Sequence, residues 1–314
     1  CKAAIIQSGI IAKTVQSTQT FPEAHELLFA VAGAISNLAL KGTSVCEAFH
    51  KFSAESVLLA ALKTEGIPAD TAVLIATVLP LFFQIKSNPE FFVKEGGVDA
   101  FLRIAAAYPE DVMLHGVFVS CLSVLSSALS LRPAIAKDEV LDFVLASLQL
   151  CATEEEYVVR GMTLFSVAVE NDAWIRAHYE TFFDAVILVM QSFPQSYDVA
   201  VASSQLCLVV MDYLWEHGVE YYMKNAGAEA EVAYLQYFIN NKDVVVDCCG
   251  VLNRCQVVDD ETQLSILTTI SLVMNSFSKD AKIHLAIAEM LLTLSQFPNA
   301  AAKMVRLEVY NGLM

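Results

Sequence analysis

The feature that most constrains this chain is a short turn, often glycine-containing, that keeps returning ahead of an apolar, helix-like run. It stands as QSGIIAKTV (7–15), KEGGVDAFLRIA (94–105), KDEVLDFVLASL (137–148), YETFFDAVILVM (179–190) and NAGAEAEVAYLQYF (225–238), with FSAESVLLAAL (52–62) a looser copy. With Val57, Val98, Val140 and Phe183 taken as equivalent, the copies advance by 41, 42 and 43 residues. A period of roughly 40–47 residues belongs to helical units that stack, each too small to bury its own apolar face. No run alternates with period two, so strands are not expected. The pattern predicts an all-α chain built of stacked units.

Between these turns lies one longer helix per unit, rich in Ala, Ser, Gly and Cys: LLFAVAGAISNLAL (27–40), TAVLIATVLPLFFQI (71–85), GVFVSCLSVLSSAL (116–129), VVRGMTLFSVAVEN (158–171), VAVASSQLCLVVMDYL (199–214), VVVDCCGVLNRCQV (244–257) and HLAIAEMLLTLSQF (284–297). Aligned on Asn37, the equivalents are Leu81, Ser127, Ser166, Met211, Asn253 and Thr293. Their average step is about 43 residues, within the same stacking period. Small side chains let packed helices approach closely. Helix boundaries follow suit. Ser87-Asn88-Pro89-Glu90 predicts a loop and a helix start, and Thr153-Glu154-Glu155-Glu156 reads as a capping box. Tyr108-Pro109, Phe193-Pro194 and Phe297-Pro298 are expected to end helices at one place in the unit. The chain opens and stops within the pattern, Cys1–Gln7 reading as the tail of a helix and Asn311-Gly312 as the next turn. Both ends are therefore expected to lie inside a repeat, with exposed apolar faces that favour self-association.

Composition narrows the function. A single core stops growing near roughly 250–300 residues, and this chain has 314. Hydrophobic residues make up 56% and mean hydropathy is +0.52, which raises the question of a membrane. Val112–Leu131 carries no Asp, Glu, Lys or Arg and approaches the roughly 20 residues of a span. It also holds His115, Gly116 and several serines, with no basic cluster beside it to orient insertion. Thr71–Ile85 is shorter and contains Pro80. Both are expected to be helices buried within the stack, with no membrane span. The formal charge is −16, with cations scattered singly. That argues against a phosphate-backbone partner and favours a basic or neutral one. The eight cysteines have neither disulfide-framework nor zinc spacing, and with no targeting signal they point to the cytoplasm.

Catalytic signatures are missing. The six histidines stand apart, none in a metal-binding spacing. There is no phosphate-cradling loop, dinucleotide fingerprint or nucleophile elbow. Cys248-Cys249 lies on an apolar helix, where thiols are inert. The expectation is a protein that is not an enzyme and uses no metal or cofactor.

GAISNLAL (33–40) and NPEFFVKEGGVDAFLRIA (88–105) most specifically resemble the armadillo repeat family, and the likeness runs along the whole chain. HEAT repeats share the period, whereas the glycine turns favour armadillo. The resemblance implies a right-handed α-solenoid of about seven three-helix repeats, treated as one domain over 1–314, whose third helices line a concave groove for extended peptides or proteins. Nuclear import adaptors of that family carry Trp four residues before a groove Asn. Here Asn37 and Asn253 hold the Asn place, and Gly33 and Cys249 the Trp place. The implied role is a scaffold or adaptor without that tryptophan ladder.

On this register the Asn37 position and those four or seven residues before it face the groove. The candidates are Asn37, Gly33 and Ala30; Ser127, Ser123 and Ser120; Ser166 and Met162; Cys207; Asn253 and Cys249; Thr293, Glu289 and Ala286. Such a face would pair with an extended backbone, though small residues there also serve packing. A second candidate is an aromatic cluster of Tyr213, Trp215, Tyr221, Tyr222, Tyr234 and Tyr237, residue types favoured in binding hot spots. The alternatives are a cytoskeletal or flagellar assembly component using its whole surface, and a helical enzyme or membrane protein.

Overall fold

The recurrent turn is a backbone device. Gly9, Ser53, Gly96 and Ala226 each stand one residue before a helix at positive φ, 68°, 57°, 80° and 66°. A left-handed residue redirects the chain sharply, and only glycine takes it without penalty. Gly97 shows the second requirement of the turn. A Cβ there would lie 2.4 Å from the Phe92 ring, and one at Gly227 would lie 2.5 Å from the Tyr222 ring. The hairpins around 92–97 and 222–227 are thus one structure built twice.

The computed structural model describes residues 9–21, 24–85, 88–214, 217–255 and 259–307. Among them are 19 α-helices, two short 3-10 turns and no strand. They divide into two compact units, Cys1–Cys151 and Ala152–Met314. The first holds α1 (Ile10–Thr20), α2 (His25–Ala39), α3 (Thr43–His50), α4 (Ala54–Lys63), α5 (Ala69–Phe83), α6 (Asn88–Lys94), α7 (Gly97–Ala107), α8 (Val112–Ser126), α9 (Arg132–Ile135) and α10 (Asp138–Leu150). The second holds α11 (Glu155–Phe165), α12 (Asp172–Ser192), α13 (Tyr197–Leu214), α14 (His217–Lys224), α15 (Gly227–Tyr237), α16 (Lys242–Cys255), α17 (Asp260–Ser276), α18 (Ala281–Leu294) and α19 (Pro298–Arg306).

Each unit is two rows of helices. In the first, α2, α5 and α8 pack in sequence as an inner row, and α4, α7 and α10 as a second row. In the second, α11, α13, α16 and α18 form the inner row and α12, α15 and α17 the other, with α19 packed on α17. Successive layers are tied by hydrogen bonds that span one repeat. Tyr108 Oη donates to Ile67 O at 2.9 Å and Arg103 Nη2 to Leu62 O at 2.7 Å, both across 41 residues. Tyr234 Oη donates to Met190 O at 3.2 Å across 44. Four of the seven inner helices, α8, α13, α16 and α18, start at matched caps: Asp111, Ser196, Asn241 and Asp280 each accept a first-turn amide, contributing about 1 kcal/mol apiece.

Aromatic rings join the rows. Phe83, Phe92, Phe101 and Phe118 form a chain through α5, α6, α7 and α8, and the last pair stacks at 4.1 Å between centroids. Pro80 lies inside α5, where it withholds the amide that would bond the Ala76 carbonyl. The Cys121 thiol on α8 donates to that carbonyl at 2.9 Å.

Three details depart from the sequence reading. A short first helix precedes the second-row helix at α4, α7, α10 and α15, as α3, α6, α9 and α14. Before α12 stands only the 3-10 turn Ala168–Glu170, and among the described residues no short helix precedes α17. Thr153 does not cap α11, because the cap position is Glu154 and its side chain takes no amide. Phe297-Pro298 follows an inner-row helix, whereas Tyr108-Pro109 and Phe193-Pro194 follow second-row ones.

The two apolar stretches are helices within the packing. α8 buries ten of its fifteen residues, Leu114, Phe118 and Leu122 among them, so its apolar character is spent on protein contacts. Among the described residues no single helix is long and apolar enough to cross a membrane. Val112–Ser126 and Leu129–Ile135 reach that length only together, and they are bent 114° apart.

Candidate functional site

The inner row of each unit leaves one helix face uncovered. In the first unit Asn37 is exposed and donates from Nδ2 to its own Gly33 carbonyl at 3.0 Å. Exposed Ser127 and half-buried Ser120 bond back to Ser123 O and Gly116 O. Thr43 reaches Gln84 at 3.4 Å. In the second unit the open face is crossed by side-chain bonds between neighbouring inner helices. Gln205 Nε2 donates to Asp247 Oδ2 at 3.0 Å. Arg254 holds Asp212 with two nitrogens at 2.7 and 3.1 Å. Thr293 Oγ1 donates to Asn253 Oδ1 at 2.5 Å. Exposed Ser166 bonds back to Thr163, and Glu289 is exposed.

Acid dominates this second-unit face. Exposed Asp198, Asp243 and Glu289 accompany Asp212 and half-buried Asp247 on these helices, with Arg160, Lys242, Arg254 and Lys282 as their cations. Burial raises the Asp247 carboxyl above its ordinary value, while the Gln205 bond and nearby Lys282 hold it down.

The predicted face is off by one step. Ser123, Met162, Cys207 and Cys249, each four residues before the reference position, are buried, Met162 and Cys249 to 1% exposure. At about 100° per residue, four back lies about 40° to one side, against the neighbouring helix, while three and seven back lie about 60° and 20° to the other. The structure accordingly opens Ala34, Val124 and Thr163 and half-opens Gly250 and Leu208, but on α13 the reference position Met211 and Ser204 seven back are both buried. Ala30 is exposed, and Gly33 and Ala286 are half-buried. Glu289, also four back, is exposed.

The aromatic cluster does not form one surface. Tyr222 and Tyr234 are buried, at 0% and 1% exposure. Tyr221 donates to Asp184 Oδ1 at 2.9 Å and packs edge-on against Tyr179. Tyr213 and Tyr237 are exposed, and Trp215 lies outside the described residues.

What sequence reasoning missed is a buried acid. Glu231 on α15 is 0% exposed. Its Oε2 accepts from Ser204 Oγ at 2.9 Å and its Oε1 from Tyr222 Oη at 3.2 Å. Cys248 Sγ lies 3.8 Å from the same Ser204 oxygen. Burial pushes the Glu231 carboxyl up to about 7, with these donors opposing. The signal was its phase: Ala228, Glu231, Val232 and Leu235 share the buried side of the helix.

Burial raises the thiols, Cys46 to about 11 and Cys249 to about 12, with Cys207 and Cys248 also well above the ordinary value, so they are poor nucleophiles near neutral pH. Among the described residues no group of three His, Cys, Asp or Glu side chains is placed to hold a metal ion. No family model matches the chain, and neither a curated protein nor a solved structure does.

Proposed function

We propose that this protein is a non-catalytic interaction scaffold of the armadillo type, binding a partner protein or extended peptide on the open face of its inner-row helices. The observation that carries this reading is the set of side-chain pairs crossing that face one repeat apart: Gln205–Asp247, Asp212–Arg254 and Asn253–Thr293. They place amide, hydroxyl and carboxylate groups at layer spacing on successive helices, the arrangement an extended backbone needs for periodic hydrogen bonds. The acidic excess there selects a basic segment by charge.

The test is selection of twelve-residue peptides from a displayed random library on the purified protein. The expected result is enrichment of basic extended sequences whose binding falls at least tenfold with Ser166→Arg, Asn253→Ala or Glu289→Arg. Selected peptides that bind every variant equally would remove the inner-row face from consideration.

A further inference from the structure

A different surface of the second unit carries a more specific reading. Two adjoining hollows of about 410 and 460 Å³ run along the junction of α15 and α17. Gln236, Glu261 and Ser265 belong to both, and Gln236 Nε2 donates to Ser265 Oγ at 2.7 Å across the sill between them.

The hollows differ in chemistry. One is walled by Ile239, Leu264 and Leu272. The other is edged by Glu229 and Asp259, with Glu261 at the border of the two, all exposed. No Lys, Arg or His lines either hollow, and neither α15 nor α17 contains one. Asp259 caps α17 by accepting from Thr262 N at 2.7 Å.

α17 has apolar residues on two sides. Ile266, Leu267, Ile270 and Val273 face the core. Leu264, Thr268 and Leu272 form a second stripe at four-residue spacing, with Leu264 39% and Leu272 52% exposed. A surface helix of this composition ordinarily presents polar groups there. From Leu272 to Glu261 is about three helical turns, or roughly 16 Å. The apolar wall and the acidic rim thus span the length of a short helix laid along the furrow.

We infer that the furrow between α15 and α17 docks an amphipathic helical peptide with aliphatic side chains against Leu264 and Leu272 and basic residues at the end facing Glu229, Asp259 and Glu261. An apolar face in a groove supplies affinity, and the charge at one end fixes direction.

Fluorescence anisotropy with labelled sixteen-residue helical peptides tests this. One probe carries four leucines on one face and an Arg pair at its N-terminus, and a second carries the pair at its C-terminus. Two controls replace Arg with Glu or Leu with Ser. One Arg probe is expected to bind, with both controls at least tenfold weaker. Leu272→Asp should weaken that probe tenfold or more, with unchanged circular dichroism. Glu261→Lys should do the same and narrow the preference for Arg over Glu. Glu289→Arg, on the inner-row face, should leave binding unchanged, so failure here is separable from failure of the scaffold reading. Equal binding of the Arg and Glu peptides, or indifference to Leu272→Asp, would overturn the inference. So would a concentration-dependent dimer in sedimentation velocity that Leu272→Asp dissolves, because the occupant would then be a second copy of this chain.

Discussion

The Cys121 thiol donates to the Ala76 carbonyl at 2.9 Å, across 45 residues, because Pro80 has left that carbonyl without its helical partner. One layer repairs a defect in the next. Cys121→Ala should therefore cost about 1–3 kcal/mol, the range for a buried acceptor left unmet. In a Pro80→Ala background residue 80 regains its amide, and the cost should fall below about 1 kcal/mol. A double-mutant cycle by chemical denaturation reads the coupling, and additive effects would contradict it.

The turn ahead of α15 is strained by its side chain. Ala226 holds φ 66° where Gly96 holds φ 80° in the matching hairpin. Ala226→Gly should stabilise the chain by up to about 1 kcal/mol, the left-handed penalty less the entropy that glycine adds to the unfolded state. Gly97→Ala should destabilise it by about 1–3 kcal/mol, because its Cβ would meet the Phe92 ring. Thermal unfolding of both variants checks the opposite signs.

The two units should respond oppositely to acid. Glu231, held up to about 7 by burial, keeps its proton when the unfolded chain has lost it. Its contribution is therefore greatest below pH about 4.5 and lost as pH rises to about 7, amounting to about 3 kcal/mol. Tyr222, Ser204 and Cys248 face it, and no cation is bonded to it. Buried His115 is lowered by burial, so its contribution is present above pH about 6.5 and lost on acidification. Hydrogen exchange between pH 8 and pH 5 should show α15 and α16 gaining protection and α8 losing it. Glu231→Gln should flatten the first response only.

The period was legible where glycine marked the turn, at Gly9 and Gly96. Ser53 takes the same left-handed conformation without glycine, which is why the copy at 52–62 read as loose. The inner helices were legible from their small residues, but their facing was not. Ser123 and Met162 are one step from Val124 and Thr163, and which of these is open depends on the neighbouring helix, a fact of packing rather than of local pattern. Tyr222 read as a surface aromatic, yet its ring fills the place that Gly227 leaves vacant and its hydroxyl reaches Glu231. Neither contact is visible in a list of aromatic residues.

The account stands on the inner-row face as the place where a partner lies. Its most direct test is photo-crosslinking of a library-selected peptide to protein carrying benzoyl-phenylalanine at Thr163, Ser166 or Glu289, with Glu180 and Thr181 as second-row controls in the same unit. The account predicts adducts at the three inner-row positions and none above background at the controls. Adducts confined to Glu180 or Thr181, with the inner-row positions silent, would contradict it.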